Sequence, residues 1–150
     1  MGTSPTFPTP ETAAMLGFPP EHCRVLAVDV DGDDAFVVLD TGPSEYRYLY
    51  GGTVRRVGDG WSGGIDSNGG GVRWTRTDDA RDLGVVALAD EAPPGSDAVR
   101  VSWRGRERES LVRNGVYLVT WWREPFPDGP WPTVVAFRIA GRWVEENRLR

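Results

Sequence analysis

The chain of 150 residues has one cysteine, one histidine, no lysine and no long apolar stretch. With Cys23 alone, no disulfide can form within the chain, which fits a reducing compartment. No segment reaches the roughly 18 apolar residues of a membrane span. The first residues lack the basic start and the sustained apolar stretch of a secretory signal. These absences predict a cytoplasmic protein that makes no contact with a membrane.

His22 and Cys23 are neighbours, and a Cys–His pair can form a reactive nucleophile. Adjacent residues of an extended chain point to opposite faces, so these two side chains are badly placed to share a proton. A zinc site would need carboxylates as most of its ligands, because the chain has no second cysteine or histidine. The sequence therefore predicts a surface histidine beside a buried or half-buried cysteine.

The charges are unevenly distributed along the chain. All 17 basic residues are arginine, and 22 acidic residues give a net charge of −5. Residues 100–150 hold ten arginines against six acidic residues. General nucleic-acid-binding proteins are basic overall, so the balance argues against that class and predicts no nucleic-acid partner. A local arginine patch in the second half is compatible with the sequence.

Short strands dominate the pattern after residue 23. Runs such as "RVLAVDV", "AFVVLD" and "VYLVTWW" are separated by turn sequences, and no stretch of about ten residues has helical periodicity there. Thr9 and Pro10 predict the start of a short helix that ends near Gly17, after a disordered N-terminus over 1–8. The predicted fold class is all-β: an antiparallel β-sandwich of about 9–10 short strands with a short N-terminal helix.

The stretch 83–146 resembles immunoglobulin-like and fibronectin-type-III-like β-sandwich modules in strand length and in the spacing of its turns. The Cys…Trp…Cys framework of immunoglobulin domains is absent, because the chain has a single cysteine. The resemblance therefore implies architecture only and assigns no functional residue. We expect one β-sandwich domain over 9–150, with a sub-division near 76–82 as the alternative.

The glycine-rich loop 58–72 fits two catalytic motifs. Gly58, Gly60 and Gly63 match G-x-G-x-x-G, and Ser62 lies within G-x-S-x-G. Both motifs need a helix after the loop, either to bind pyrophosphate or to present the serine. The following residues contain too many glycines for a helix, because each costs about 1 kcal/mol relative to alanine. We interpret both matches as coincidental, with a surface flap as the functional alternative.

Three aspartates, Asp29, Asp31 and Asp33, alternate in the segment "DVDGDD" and could offer carboxylate ligands to a cation such as Ca²⁺. The glycine stands at the fourth position of this frame, whereas an EF-hand loop has it at the sixth. Asp and Gly together are also typical of a hairpin turn. The sequence predicts a hairpin turn, with a weak surface cation site at these three residues as the alternative.

The segment "TWWREPFPDGPWPTV" is the strongest candidate for a contact surface. The candidate partner-binding residues are Trp122, Phe126 and Trp131. The prolines stiffen the loop, so little conformational entropy is lost on binding, and tryptophan is enriched at interface hot spots. The preferred interpretation of these side chains is structural, in that they close one end of the sandwich or hold the N-terminal helix, and partner binding is the functional alternative.

Two alternating strands offer further candidate surfaces. In the first, Tyr46, Tyr48 and Tyr50 share one face, which predicts a contact for a symmetric dimer. In the second, Glu107 and Glu109 lie two residues apart, as paired carboxylates for glycoside hydrolysis could. An exposed edge strand of alternating charge produces the same pattern and is the preferred interpretation.

The sequence as a whole predicts a non-enzymatic binding module for a protein or small ligand, without a cofactor. One alternative is a hydrolase whose Asp and Glu residues converge only in the fold, and another is a structural homodimer through the tyrosine face. A hydrolase predicts a pocket with facing carboxylates and a raised pKa. A binding module predicts an exposed apolar patch instead.

Overall fold

The computed structural model describes residues 5–42, 47–63, 65 and 69–149. Within them the chain forms one α-helix, two 3-10 turns and eleven strands in three antiparallel sheets. The predicted fold class is confirmed, because the fold is all-β with a short N-terminal helix. The elements are α1 (Pro10–Ala14), β1 (Arg24–Asp31), β2 (Asp34–Asp40), β3 (Leu49–Val57), β4 (Gly60–Ser62), β5 (Gly71–Asp78), β6 (Leu83–Glu91), β7 (Ser96–Trp103), β8 (Arg106–Leu111), β9 (Val116–Glu124), β10 (Thr133–Ile139) and β11 (Arg142–Glu145).

The helix α1 begins at a Thr9 cap. The Thr9 hydroxyl accepts a hydrogen bond from the Thr12 backbone N–H at 3.1 Å, and the Thr12 hydroxyl accepts one from the Thr9 backbone N–H at 3.3 Å. The helix ends before the predicted Gly17 and buries Ala13 and Ala14. A helix this short depends on packing for its stability. Among the described residues, no helix has the length and apolar character that crossing a membrane requires.

The chain divides into two compact units, residues 1–70 and residues 71–150, which we call unit 1 and unit 2. Their boundary lies a few residues before the predicted sub-division near 76–82. It falls at the end of the glycine-rich segment, directly before β5. The single β-sandwich domain over 9–150 stays a prediction.

Unit 1 contains one described sheet with the strand order β1-β2-β3-β4. Its core lies on the face against which α1 packs, where Ala35, Val37 and Leu39 of β2 are fully buried. The neighbouring strand β3 contains Gly52, where a Cβ atom would lie 2.8 Å from the side chain of Ile65. Glycine therefore permits the close packing on this face.

A β-bridge joins the N-terminal segment to β4 in unit 1. The backbones of Phe7 and Trp61 exchange two hydrogen bonds of 2.7 Å each, and Phe7 packs against the core. Phe7 thus has a defined place within the predicted disordered stretch 1–8. Residues 1–4 of that stretch lie outside the described residues.

Unit 2 packs two sheets against each other, with the strand orders β5-β6-β9 and β11-β10-β7-β8. The core lies between them, because its cluster draws residues from both sheets. Val99 and Val101 of β7 are fully buried, and the rings of Tyr117 in β9 and Phe137 in β10 meet at 5.6 Å. The arrangement is compatible with an immunoglobulin-like β-sandwich in general.

Candidate binding surface

Three aromatic rings of unit 2 form a row: Trp74 of β5, and Phe126 and Trp131 of the loop between β9 and β10. The ring centroids are 5.6 Å apart at each step, and the successive ring planes stand at 75° and 86°. Edge-to-face contacts are favourable because a ring has a positive edge and a negative face. We call these three residues the aromatic row.

Phe126 is the most exposed member of the aromatic row. Its side chain is 63% exposed, whereas Trp74 and Trp131 are half-buried. No other large hydrophobic side chain in the described part of the chain is as exposed as Phe126. Together with the flanking indoles, it forms an apolar patch of the kind that marks interaction sites.

Two hydrogen bonds hold the loop that carries Phe126. The indole N–H of Trp74 donates to the carbonyl oxygen of Glu124, and that of Trp103 donates to the carbonyl oxygen of Pro130, both at 2.9 Å. Prolines restrict the backbone further, because each fixes its own φ angle. The loop prolines are Pro125, Pro127, Pro130 and Pro132. The backbone that carries Phe126 is therefore restricted.

A β-bulge interrupts β9 just before this loop. In the pairing with β6, Trp121 lies opposite Val86 and Glu124 lies opposite Gly84. The intervening Trp122 and Arg123 therefore form the bulge. Arg123 has a φ of +57°, which belongs to the left-handed region. Bulges bend a strand and redirect its side chains. Trp122, predicted as a contact residue, is half-buried in this bulge and lies outside the aromatic row.

Trp103 and Trp121 pack between the two sheets of unit 2. Their rings meet edge to face with centroids 5.2 Å apart. The guanidinium of Arg108 lies over Trp121 at 5.0 Å and donates a hydrogen bond to the carbonyl oxygen of Thr120. These two tryptophans therefore contribute to the interior of the sandwich, whereas Phe126 is left at the surface.

Two arginines near the aromatic row form ion pairs. The guanidinium of Arg76 lies 5.3 Å from the ring centre of Trp74 and pairs with Asp82 at 2.7 Å. Arg104 pairs with Glu124 at 2.8 Å. Exposed pairs of this kind stabilise a protein little. Their consequence here is that each of these two arginines is matched by a carboxylate.

The predicted cation site lies in unit 1, at the hairpin between β1 and β2. Gly32 has a φ of +60° in this turn, which confirms the predicted hairpin. Asp29 and Asp31 are half-buried, while Asp33 is exposed and pairs with Arg56 at 3.5 Å. Among the described residues, no three His, Cys, Asp or Glu side chains form a group that could hold a metal ion.

The predicted tyrosine face is described only in part. Tyr46 lies outside the described residues. Tyr48 is 49% exposed, and its ring is 5.5 Å from that of the half-buried Tyr50. Tyr50 in turn meets Phe18 edge to face at 5.0 Å and packs against the unit 1 core. The homodimer through this face stays a prediction.

The carboxylates Glu107 and Glu109 lie on β8, the last strand of its sheet. Both pair with Arg100 of the neighbouring β7, at 4.0 Å and 3.1 Å respectively. Both side chains are more than half exposed. The interpretation of this segment as an exposed, charged edge strand is confirmed.

Asp40 at the end of β2 is the buried carboxylate of unit 1, with 4% of its side chain exposed. It accepts hydrogen bonds from the Arg24 guanidinium at 2.8 Å and from the backbone N–H groups of Gly42 and Tyr48 at 3.0 Å and 3.1 Å. Burial alone would raise the pKa of Asp40, but these bonds and the charge of Arg24 hold it below the usual value. A general acid needs the opposite shift, so Asp40 serves as a structural anchor.

The Cys–His pair has the arrangement that the sequence predicted. His22 is exposed, whereas Cys23 is 4% exposed. Burial, together with the negative charge of Asp40, raises the pKa of the Cys23 thiol. The thiolate is the reactive form of cysteine, so this environment disfavours nucleophilic chemistry.

Trp74 is the member of the aromatic row that the sequence analysis did not single out. It lies fifty residues before Glu124, whose carbonyl oxygen accepts its indole N–H. The segment "GVRWTRTD" around it is typical of a strand, but it has no turn sequence or proline that would suggest a binding site. A tryptophan on a half-exposed strand was the one available signal.

No family model, curated protein or solved structure matches the chain. Among the described residues, the aromatic row contains the most exposed large hydrophobic side chain.

Proposed function

We propose that this protein is a non-enzymatic binding module whose contact surface is the aromatic row. The observation that carries the proposal is Phe126, a ring that is 63% exposed and flanked by an indole on each side. Moving apolar rings out of water is favourable, and aromatic residues dominate the hot spots of interfaces. The same surface suits a protein segment or a small apolar ligand.

Preorganisation supports this proposal. The loop is restricted by its prolines and by the indole hydrogen bonds of Trp74 and Trp103. A loop that is already ordered loses little conformational entropy on binding, so more of the contact energy appears as affinity. A ring that served only to close the sandwich would be expected to lie inside it, as Trp103 does at 6% exposure.

We also propose that unit 2 is an immunoglobulin- or fibronectin-type-III-like module. In such folds the first, second and fifth strands share one sheet, the third, sixth and seventh share the other, and an added strand can lie beside the third. Unit 2 has β5, β6 and β9 in one sheet and β7, β10 and β11 in the other, with β8 beside β7. Loops on such a rigid frame commonly carry the binding residues.

Ligand capture with matched variants tests the proposed function. Wild-type protein, Phe126→Ala and Leu111→Ala are immobilised, exposed to cell lysate and compared by quantitative mass spectrometry. Leu111 is the control because it is also an exposed hydrophobic residue of unit 2, at 53% exposure on β8. We expect Phe126→Ala to lower capture of a specific ligand by at least about tenfold, since hot-spot residues contribute about 2 kcal/mol or more.

The control variant separates contact from general stickiness. Leu111→Ala should retain the ligand at the wild-type level, and circular dichroism should show all three proteins folded. Equal retention by wild type and Phe126→Ala would reject the aromatic row as the contact surface.

A further inference from the structure

The strand β9 is the last strand of its sheet in unit 2, beyond β6. In an antiparallel pair, the backbone N–H and C=O groups of one residue point to the same side, and residues two apart share that side. The Val116 backbone exchanges hydrogen bonds of 2.9 Å and 3.0 Å with Arg113 before the strand, so Val116 faces away from β6. The backbone groups of Leu118 and Thr120 therefore face away from β6 as well.

Two side chains of β8 donate hydrogen bonds to these outward carbonyl oxygens of β9. The Arg108 guanidinium donates to Thr120, and the Ser110 hydroxyl donates to Leu118 at 3.3 Å. The guanidinium of Arg108 also lies 5.0 Å from the ring centre of Trp121, which helps to hold it in this place. The two strands thus form a hairpin whose backbones diverge after the turn, because β8 pairs with β7 while its side chains reach β9.

The other strands at the ends of the unit 2 sheets carry charges, whereas the regular part of β9 carries none. The strand β5 contains Arg73 and Arg76, β11 contains Arg142 and Glu145, and β8 alternates arginine with glutamate. Residues 116–121 of β9 read "VYLVTW", without a charged residue, proline or glycine. Charges on an edge strand discourage pairing with another chain, and an uncharged segment of this composition favours it. The β9 edge therefore needs protection from outside its own sequence.

We infer that Arg108 and Ser110 protect the β9 edge from pairing with the same edge of a second copy of this chain. An unprotected edge strand offers backbone groups to which another strand can bond. A second copy presents an identical uncharged edge, and two identical strands can pair antiparallel about a two-fold axis. An incoming strand must first displace the donors that bond to Leu118 and Thr120, and those hydrogen bonds are then lost. This inference is independent of the proposed binding role of the aromatic row.

Analytical ultracentrifugation of matched variants tests the inference. Arg108→Met keeps an apolar stem beside Trp121 but cannot donate a hydrogen bond. Arg106→Met is the control, because it removes the same charge from an exposed position of the same strand. We expect the weight-average mass of Arg108→Met to rise with concentration to at least about twice the wild-type value, as the pairing of two copies requires. Arg106→Met should keep the wild-type mass, and circular dichroism should show both variants folded.

A milder variant covers the case in which Arg108→Met does not fold. Ser110→Ala removes only a hydroxyl group, so it should fold and should also self-associate, at higher concentrations than Arg108→Met. If Arg108→Met is unfolded, the mass of Ser110→Ala decides by the same criterion.

An added lysine identifies the edge that pairs. Leu118→Lys and Val72→Lys are each combined with the self-associating variant, so the net charge is equal while the lysine lies on β9 or on β5. We expect Leu118→Lys to restore the wild-type mass, because a lysine on an edge strand opposes pairing, and Val72→Lys to leave the association in place.

Three results would overturn the inference. The first is a wild-type mass for every folded variant that lacks a β8 donor. The second is equal self-association of Arg106→Met, which would assign the effect to lost charge. The third is equal rescue by both lysines, which would show that the copies do not associate through β9.

Discussion

Unit 1 and unit 2 differ in their share of the tryptophans and in what packs against their sheets. The unit 1 cluster consists mostly of alanine, valine and leucine, and it includes Trp61 as its one tryptophan. Unit 2 contains six of the seven tryptophans of the chain. It also holds five of the six arginine–ring contacts in the described residues. Both core clusters are mainly aliphatic, and unit 2 differs in carrying most of the tryptophans and of these arginine–ring contacts.

The difference follows from what each core must fill. In unit 1 a short helix with Ala13 and Ala14 packs onto a sheet, and Gly52 allows close approach on the same face. In unit 2 two sheets face each other, as in sandwiches whose sheets lie about 10 Å apart, and the cluster between them combines valine and leucine with Tyr117 and Phe137. Other aromatic rings of unit 2 are not fully buried, among them the three of the aromatic row. Phe126 is the most exposed of these three rings. Rings such as that of Phe137 thus lie inside the sandwich, whereas the ring of Phe126 lies at the surface.

The largest expected effect comes from removing a ring inside the sandwich. Phe137 is 5% exposed and meets Tyr117 edge to face. Phe137→Ala should lower the free energy of unfolding by about 3–5 kcal/mol, because it loses buried area and leaves a cavity. Urea denaturation measures the change. A loss of less than about 1 kcal/mol would contradict the placement of the core between the two sheets.

The next effect concerns the buried carboxylate of unit 1. Asp40→Ala removes the acceptor of the Gly42 and Tyr48 backbone N–H groups and the partner of Arg24. We expect a loss of about 1–3 kcal/mol in the free energy of unfolding, because buried donors are left without acceptors. Asp34→Ala is the control, since Asp34 forms a more exposed pair with Arg55. An equal loss of unfolding free energy in both variants would contradict the stabilising role of the buried Asp40 hydrogen bonds.

The same carboxylate predicts a dependence on pH. The pKa of Asp40 is lowered in the folded protein, so its contribution to stability is present above the unfolded pKa of about 3.9. That contribution is lost as the pH falls through the lower, folded-state pKa. The difference in unfolding free energy between wild type and Asp40→Asn should therefore shrink below about pH 4. A difference that is constant over this range would contradict the lowered pKa.

A smaller effect is expected on the outer face of unit 2. Arg100 lies 4.1 Å from the ring centre of Trp143 and pairs with Glu107 and Glu109. Arg100→Ala should lower the free energy of unfolding by about 1 kcal/mol, since cation–π contacts and exposed ion pairs are individually weak. The exposed Arg106 on β8 provides the control. Thermal unfolding that shifts equally in both variants would argue against a stabilising role for the contact with Trp143.

The fold class could be predicted from sequence because its signals are local. Alternating apolar residues predict strands, and pairs such as Asn114-Gly115 predict the turns between them. The residues Phe126 and Trp131 were found in the same way, since both lie in one proline-rich segment. The cap at Thr9 predicted the start of α1 correctly, and the helix ends at Ala14, before Gly17.

The remaining features depend on contacts between distant parts of the chain. Trp74 joins the aromatic row only because β5 is brought beside the loop that follows β9. The bulge that contains Trp122 arises from the pairing of β9 with β6, which periodicity along one strand cannot reveal. The boundary near residue 70 likewise reflects contacts in space.

The most direct test of the central claim is the free energy of unfolding of Phe126→Ala, measured by urea denaturation without ligand. If Phe126 is a contact ring and not a core ring, its removal should cost less than about 1 kcal/mol, because the ring is 63% exposed. A loss of about 3 kcal/mol or more, close to that expected for Phe137→Ala, would contradict the account. It would show that Phe126 stabilises the sandwich and is not a surface ring for ligand contact.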